Sequence, residues 1–130
     1  MKSNTISLVT PCFNEELNVR DLFFAVKKVM KSLPYEYEHI FIDNSSTDNT
    51  VKILKELAIK NKNLKIIVNA RNFGHVRSPF YGILQSSGDG CILISADFQD
   101  PPEMIPQFIN KWEEGCKIVL AKKPFLKNIP

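Results

Sequence analysis

Short apolar runs alternate with amphipathic segments along almost the whole chain. The runs are rich in β-branched residues, which is typical of buried parallel strands. They are Ile6–Val9, Ile40–Ile42, Ile66–Val68, Ile92–Ile94 and Ile118–Leu120. Their starts recur at roughly the spacing of a unit of two parallel strands joined by a helix. The alternation predicts an α/β fold with a doubly wound, mostly parallel sheet of five strands.

Four segments between these runs carry apolar residues at three- and four-residue spacing, which predicts helices. They cover residues 19–33, 51–58, 76–87 and 105–112. The third pattern is the weakest because it contains Pro79 and ends at Gly88. We expect residues 1–121 to form one α/β domain, followed by a C-terminal tail at residues 122–130.

Composition narrows the class of protein. The 130 residues are 44% hydrophobic and carry a net charge of +3, which is ordinary for a globular domain and excludes disorder. The basic excess is small and scattered, so we expect no nucleic-acid partner. Three widely spaced cysteines form no disulfide framework, and no apolar run is long enough to span a bilayer. We therefore expect a cytoplasmic location, with membrane association only through segments missing from the C-terminus or through Phe125 and Leu126.

A polar cluster follows each of the first four runs. The clusters are residues 11–16, 43–48, 69–75 and 95–103. Ligands of open parallel sheets bind at the carboxyl ends of the strands, so the clusters should form one site. Their mixture of carboxylates, amides, an Arg and a His suits a metal ion with a phosphorylated ligand.

Individual residues in these clusters have structural alternatives. Asp97 directly follows a strand and has no capping task, which favours a ligand role. Asp43 ends a buried strand, where it either contacts a ligand or bonds to a neighbouring loop, because an unpaired carboxylate would be costly. Arg71 binds a phosphate or pairs with an acid, and His75 is structural or contacts a ligand. Asn14 is expected to cap the first helix.

Several common motifs are absent. The sequence has neither the GxxxxGK[ST] phosphate loop nor GxGxxG after a strand, which argues against P-loop NTPases and ordinary dinucleotide binding. Cys12 has no neighbouring base in the sequence, which argues against a nucleophilic cysteine.

The four clusters together resemble the N-terminal, nucleotide-binding portion of a family 2 glycosyltransferase with the GT-A fold. The polyprenyl- and dolichyl-phosphate sugar transferases are the most similar subgroup. The matching motifs are TPCFNEELNV (10–19), IDNSSTDNT (42–50), RNFGH (71–75) and SADFQDPPEMIP (95–106). They occur in order over nearly the whole chain. The resemblance implies that residues 1–121 are the Rossmann-like, nucleotide-sugar-binding half of the GT-A fold, and that the tail at residues 122–130 is truncated before an acceptor-binding half.

The resemblance also assigns roles to residues of this chain. Asp43 and Asn44 occupy the positions of the family's Asp-Asp pair, and Asp97 matches the second acid of its Asp-x-Asp metal motif. Ser95 replaces the first acid, and Gln99 matches a position that helps to ligate Mg²⁺ or Mn²⁺. The implied metal ligands are thus Asp97 and Gln99. The implied nucleotide-binding residues are Pro11, Phe13, Glu15, Asp43, Asn44, Arg71, His75 and Asp97.

The implied reaction is inverting transfer of a sugar from a nucleotide-diphosphate sugar, with UDP as the favoured carrier. The acceptor is a lipid phosphate, such as a polyprenyl phosphate, or a saccharide. No general base is identifiable, since no Asp or Glu follows Glu114. We therefore expect a donor-binding portion with little turnover of its own. The alternatives are a non-catalytic nucleotide-binding or regulatory module, a nucleotidyltransferase and, last, a response-regulator-like domain.

Overall fold

The computed structural model describes residues 4–121, in which strands and helices alternate. The elements are β1 (Thr5–Cys12), α1 (Val19–Lys31), β2 (Glu36–Asp43), α2 (Thr50–Lys60), β3 (Leu64–Val68), α3 (Gly74–Leu84), β4 (Gly90–Leu93), a 3₁₀ helix (Pro102–Met104) and α4 (Ile105–Glu113). The predicted tail, residues 122–130, lies outside the described residues.

The four strands form one parallel sheet in the order β3-β2-β1-β4. This confirms the predicted α/β class and the parallel sheet. The chain adds β2 and β3 on one side of β1 and then places β4 on the other side. The direction of winding therefore reverses between β1 and β4, and such a switch point is where open α/β sheets bind ligands.

Two apolar cores of unequal size cover the faces of the sheet, because successive side chains of a strand point to opposite faces. The larger core joins the sheet to α1, α2 and α4, and its buried members include Leu8, Phe23, Phe41, Leu54 and Ile105. The smaller core consists of Val9, Ile40 and Ile42, and Ile67 of β3 and Ile83 of α3 pack against it. Helices on both faces make the sheet doubly wound.

The predicted fifth strand is wrong. Residues 118–120 form no strand in the described part of the chain, and the side chains of Ile118 and Leu120 are 81% and 86% exposed. They lie instead along an open cavity of about 630 Å³ beside β4. A β-branched run forms a strand only where the backbone of a neighbouring strand can hydrogen-bond to it. Residue type does not specify that neighbour.

None of the helices found between residues 4 and 121 combines the length and the apolar character needed to cross a membrane.

Candidate functional site

The carboxyl ends of the strands bring the four polar clusters to one edge of the sheet. The register pairs Cys12 with Asp43 and Asp43 with Val68, so β1, β2 and β3 end level with one another. On the other side, Val9 pairs with Leu93 at the end of β4. The clusters that the sequence separates by about 25 residues are therefore neighbours in space.

Each loop at this edge contains one residue with left-handed backbone. The φ angles are 52° for Asn14, 70° for Ser45, 88° for Gly74 and 63° for Phe98. For a residue other than glycine this conformation costs about 1 kcal/mol or more, and it collects at binding sites. The four sharp turns keep the loops compact at the edge, and the sequence motifs gave no sign of them at Ser45 and Phe98.

Asn14 connects the first loop to the second. Its Oδ1 accepts hydrogen bonds from the backbone N–H groups of Thr47 (2.8 Å) and Asp48 (3.3 Å), and its own N–H donates to Ser46 Oγ (2.8 Å). The expectation that Asn14 caps α1 is wrong, because the residue at the N-cap position is Asn18. The left-handed turn at Asn14 directs its amide towards the β2 loop instead.

The remaining first-loop candidates lie directly after this strand. Pro11 is the penultimate residue of β1, and Phe13 next to the strand end is exposed. Glu15 is partly buried, its backbone N–H donates to Thr50 Oγ1 (2.9 Å), and its Oε2 accepts from Asn18 Nδ2 (2.8 Å). These contacts fix the backbone of the first loop and leave the Phe13 ring open to a ligand.

Asp43 is fully buried at the end of β2 and organises the second loop. Its Oδ2 accepts from the backbone N–H of Ser46 (2.9 Å) and its Oδ1 from Ser46 Oγ (2.5 Å). The internal hydrogen bond that the sequence left open is therefore present, and the ligand role stays a prediction. Burial, together with the nearby Asp43 carboxylate, raises the pKa of the Cys12 thiol, which opposes a nucleophilic role for Cys12.

Asn44 connects the second loop to the third. Its Nδ2 donates to Asn72 Oδ1 (2.9 Å) and to the Gly74 carbonyl (3.3 Å). Its Oδ1 accepts from Asn69 Nδ2 (3.1 Å) and from the Phe73 N–H (2.8 Å). These four bonds use both donors and both acceptor positions of the amide, which is 8% exposed. Sequence reasoning placed Asn69 and Asn72 in the third polar cluster but assigned neither of them a role, although Asn72-Phe73-Gly74 has the composition of a turn.

Arg71 and His75 lie at the end of β3, the outer strand on this side. Arg71 is exposed and its guanidinium stacks on the Phe73 ring at 4.4 Å, while His75 is exposed in the first turn of α3. Three strand spacings, or about 14 Å, separate β3 from β4 within the sheet. The edge is thus long enough for an extended ligand.

The β4 loop is arranged around Ser95. Ser95 Oγ lies 3.0 Å from Asp97 Oδ1 and 3.2 Å from Asp100 Oδ2, and the Gln99 N–H donates to Asp97 Oδ1 (3.2 Å). The single hydroxyl proton of Ser95 serves two carboxylates. Asp97 and Gln99 are exposed, so both can contact a ligand at the switch point.

The β4 loop fits a metal ion that a ligand helps to bind. In the described part of the chain no three His, Cys, Asp or Glu side chains are placed to hold a metal by themselves. Mg²⁺ is commonly held by one or two protein ligands together with substrate phosphates and water. The exposed carboxylate of Asp97 and the side-chain oxygen of Gln99 match that pattern.

The sequence itself was compared with known proteins. A family model described as glycosyl transferase family 2 matches residues 7–125. This chain belongs to that family. The matched range includes the segments 42–50, 71–75 and 95–106, which contain the loops at the carboxyl edge of the sheet.

Two relatives illustrate the match. YkcC of Bacillus subtilis, an uncharacterized glycosyltransferase, is 38% identical over 115 residues, which are 88% of this chain and 36% of YkcC. The bactoprenol glucosyl transferase of Shigella phage SfV is 41% identical over 118 residues, which are 91% of this chain and 38% of the phage protein. The chain thus spans well under half of the length of these relatives.

A solved structure shows the same fold. Glucosyl-3-phosphoglycerate synthase from Mycobacterium tuberculosis, in complex with Mn²⁺, UDP-glucose and phosphoglyceric acid, superposes with a TM-score of 0.64 at 21% identity. The superposition covers 86% of this chain and 40% of the synthase. The sheet described above is therefore part of a GT-A fold.

Proposed function

We propose that this chain forms the donor-binding part of an inverting glycosyltransferase that uses a nucleotide-diphosphate sugar, with UDP as the carrier. The observation that supports this most directly is the family match over residues 7–125, on a sheet whose four polar loops meet at one edge. The donor extends along that edge. Its nucleoside lies along the loops of β1, β2 and β3, and its diphosphate lies at the crevice between β1 and β4.

The first three loops supply the nucleoside contacts. Pro11, Phe13 and Glu15 line the end of β1, and Arg71 and His75 approach from the outer loop after β3. Asp43 and Asn44 lie beneath them. Because the hydrogen bonds of both side chains are made within the protein, we assign Asp43 and Asn44 the task of holding the loops in a form that fits the nucleotide.

Asp97 and Gln99 would hold Mg²⁺ or Mn²⁺ together with the diphosphate. The ion, when bound, supplies positive charge that stabilises the departing diphosphate. Ser95 is a weak ligand in the position of an acid, so the protein's share of the coordination is small and the diphosphate's share is large. Ser95 nevertheless keeps Asp97 oriented by their hydrogen bond.

The acceptor is proposed to be a lipid phosphate, and a saccharide is the alternative. Support comes from the relatives that are bactoprenol glucosyl transferases. A phosphate acceptor is already anionic, so it makes little demand on a general base, and no base was identified in this chain. The proposed location is the cytoplasm, at the inner face of a membrane.

A second function is favoured by the two departures from the family pattern. Ser95 removes one carboxylate from the metal motif, and Asn44 is fully occupied by internal hydrogen bonds. Both features fit a non-catalytic module that binds a nucleotide without metal. The two functions differ in whether the affinity for the nucleotide depends on a divalent cation.

Calorimetric titration with UDP-glucose, with and without Mn²⁺, tests the proposal. We expect Mn²⁺ to strengthen binding and Asp97→Asn to weaken the Mn²⁺-dependent affinity about tenfold or more, since the amide keeps an oxygen but loses the negative charge that attracts the cation. Ser95→Asp should strengthen it. Glu36→Gln is the control, because Glu36 is exposed at the opposite end of the sheet.

GDP-mannose serves as the competing donor in the same titration. Tighter binding of GDP-mannose than of UDP-glucose would contradict only the proposed nucleobase, uracil, and not the binding of a nucleotide sugar. UDP-glucose binding that is indifferent to both Mn²⁺ and Asp97→Asn would support the non-catalytic module. A folded chain that binds neither donor would contradict both functions.

A further inference from the structure

Helix α3 turns an apolar face away from the protein. Ser78 and Gly82 are buried against the sheet, whereas Val76, Phe80 and Leu84 are 79%, 59% and 62% exposed. These three recur every fourth residue, so they form one stripe on the outer side of the helix. Arg77 and Tyr81 flank the stripe and are exposed. We call Val76, Arg77, Phe80, Tyr81 and Leu84 the α3 surface.

The charged side chains of α3 and of the loop before it are all basic. Residues 71–88 contain Arg71, His75 and Arg77 but no Asp or Glu. Arg77 and Tyr81 also line a cavity of about 400 Å³ between the helix and the edge of β3, together with the apolar side chains of Ile67 and Val68. Exposed apolar side chains bordered by an arginine and a tyrosine are residues that protein surfaces place at the interface of a membrane.

We propose that the α3 surface contacts the surface of a membrane that contains anionic lipids. Phe80 and Leu84 enter the boundary between headgroups and acyl chains, and Arg77 lies at the level of the anionic headgroups. A second copy of the chain fits less well, because a symmetric contact would place two basic, acid-free segments against each other.

The orientation of α3 gives this contact a consequence for the site. The first turn of α3 begins at the carboxyl edge of the sheet, next to the third polar loop. A membrane against the outer side of α3 therefore lies beside the edge where the donor is proposed to bind. The contact itself depends only on the α3 surface, so it can hold whether or not the proposed reaction is correct.

Co-sedimentation of the full 130-residue chain with vesicles, in the absence of nucleotide, tests the proposal. Vesicles of phosphatidylcholine mixed with phosphatidylglycerol are compared with vesicles of phosphatidylcholine alone. We expect stronger binding to the anionic vesicles, weakened by salt. Combined Phe80→Gln and Leu84→Gln should reduce binding at least tenfold, and Arg77→Gln about fivefold on the anionic vesicles only.

Matched controls remove similar groups from the opposite face of the sheet. Ile59→Gln replaces an aliphatic side chain that is 79% exposed on α2, and Arg20→Gln removes an exposed arginine of α1. Thermal unfolding checks that every variant remains folded. The proposal is overturned if the controls lose as much binding as the α3 variants, or if the folded chain binds neither vesicle.

Size-exclusion chromatography of the same variants identifies what covers the stripe in those cases. A dimer that Phe80→Gln with Leu84→Gln converts to a monomer would assign the face to self-association and overturn the membrane contact. A monomer without vesicle binding would overturn it as well, and would assign the face to other polypeptide. Since no nucleotide is present, each result is independent of the donor titration.

Discussion

The amide of Asn44 illustrates how one residue can look like a ligand contact in the sequence and act as a connector in the structure. Its position in the family pattern suggested a contact with the nucleotide. In the structure all its hydrogen-bonding positions are taken by Asn69, Asn72, Phe73 and Gly74. Only a side chain with both donors and acceptors can make this set, so an acid in the same place would change the third loop.

Asn44→Asp should therefore destabilise the protein. The carboxylate can still accept from Asn69 and Phe73, but it cannot donate to Asn72 Oδ1 or to the Gly74 carbonyl, which would then face a buried negative charge. We expect a loss of about 2 kcal/mol in the free energy of unfolding, measured by urea denaturation. Asn49→Asp makes the same change at an exposed position and is the control. Equal stabilities of the two variants would argue against the connecting role.

At the scale of the element, α3 depends on a close approach to the sheet at one glycine. A Cβ added to Gly82 would lie 2.8 Å from Val9 Cγ1 and 3.2 Å from Ile42 Cγ2, which are both in the smaller core. Glycine in a helix interior costs about 1 kcal/mol relative to alanine. Its presence here is explained by the packing distance and not by helix propensity.

Replacing glycine by alanine inside a helix usually stabilises a protein, whereas Gly82→Ala should destabilise this one. We expect a loss of about 1–3 kcal/mol because the added methyl overpacks the smaller core. Val9→Ala removes the nearest atom, so the double variant should lose less than the sum of the single changes. Gly90→Ala is the control, since its added Cβ meets Ile6 Cδ1 at an ordinary 3.4 Å. Additive losses from Gly82→Ala and Val9→Ala would contradict this account. Thermal unfolding of the four variants provides the comparison.

At the scale of the whole molecule, the buried side chains of His39 and Glu38 affect how the stability depends on pH, because the fold shifts the pKa of each. His39 is stacked between Phe23 and Phe41, and burial lowers its pKa to about 3. Burial opposes the ionised form of Glu38, but hydrogen bonds from Lys65, Ser7 and Ser87 outweigh it and lower its pKa to about 2. The two groups act in different pH windows.

The stability of the protein should fall as the pH drops below about 6.5. The unfolded state then binds a proton on His39 that the folded state excludes down to pH about 3. The expected slope is about 1.4 kcal/mol per pH unit, or about 2 kcal/mol between pH 7 and pH 5. Glu38 adds its own loss only below about pH 4.5, because its stabilising negative charge persists in the folded state down to about pH 2.

Urea denaturation at several pH values measures this slope. His39→Gln should flatten it between pH 5 and pH 7, and His75→Gln, which removes an exposed histidine, is the control. If His39→Gln does not fold, the ring signals of His39 followed by NMR give the same information: they should not titrate above about pH 5. A slope that survives in His39→Gln, or a ring that titrates near pH 6.5, would show that His39 is not the group responsible.

The sequence by itself determined the class of fold, the four strands and the loops that carry the family motifs. These features depend on local periodicity and on residue type, which a single chain displays directly. The polar clusters at positions 11–16, 43–48, 69–75 and 95–103 were expected at one edge because parallel strands share a direction, and the register places them there.

Only the tertiary structure decided which segments pair as strands, which groups the loop side chains contact and which side of a helix is buried. Residues 118–120 look like a strand but have no strand beside them in the described part of the chain, and pairing is a property of two segments. Asn14 resembles a helix cap but bonds to a loop more than thirty residues away in sequence. The outward stripe of α3 has the residues of a core, and only the packing of Gly82 against Val9 and Ile42 decides which side of that helix meets the sheet.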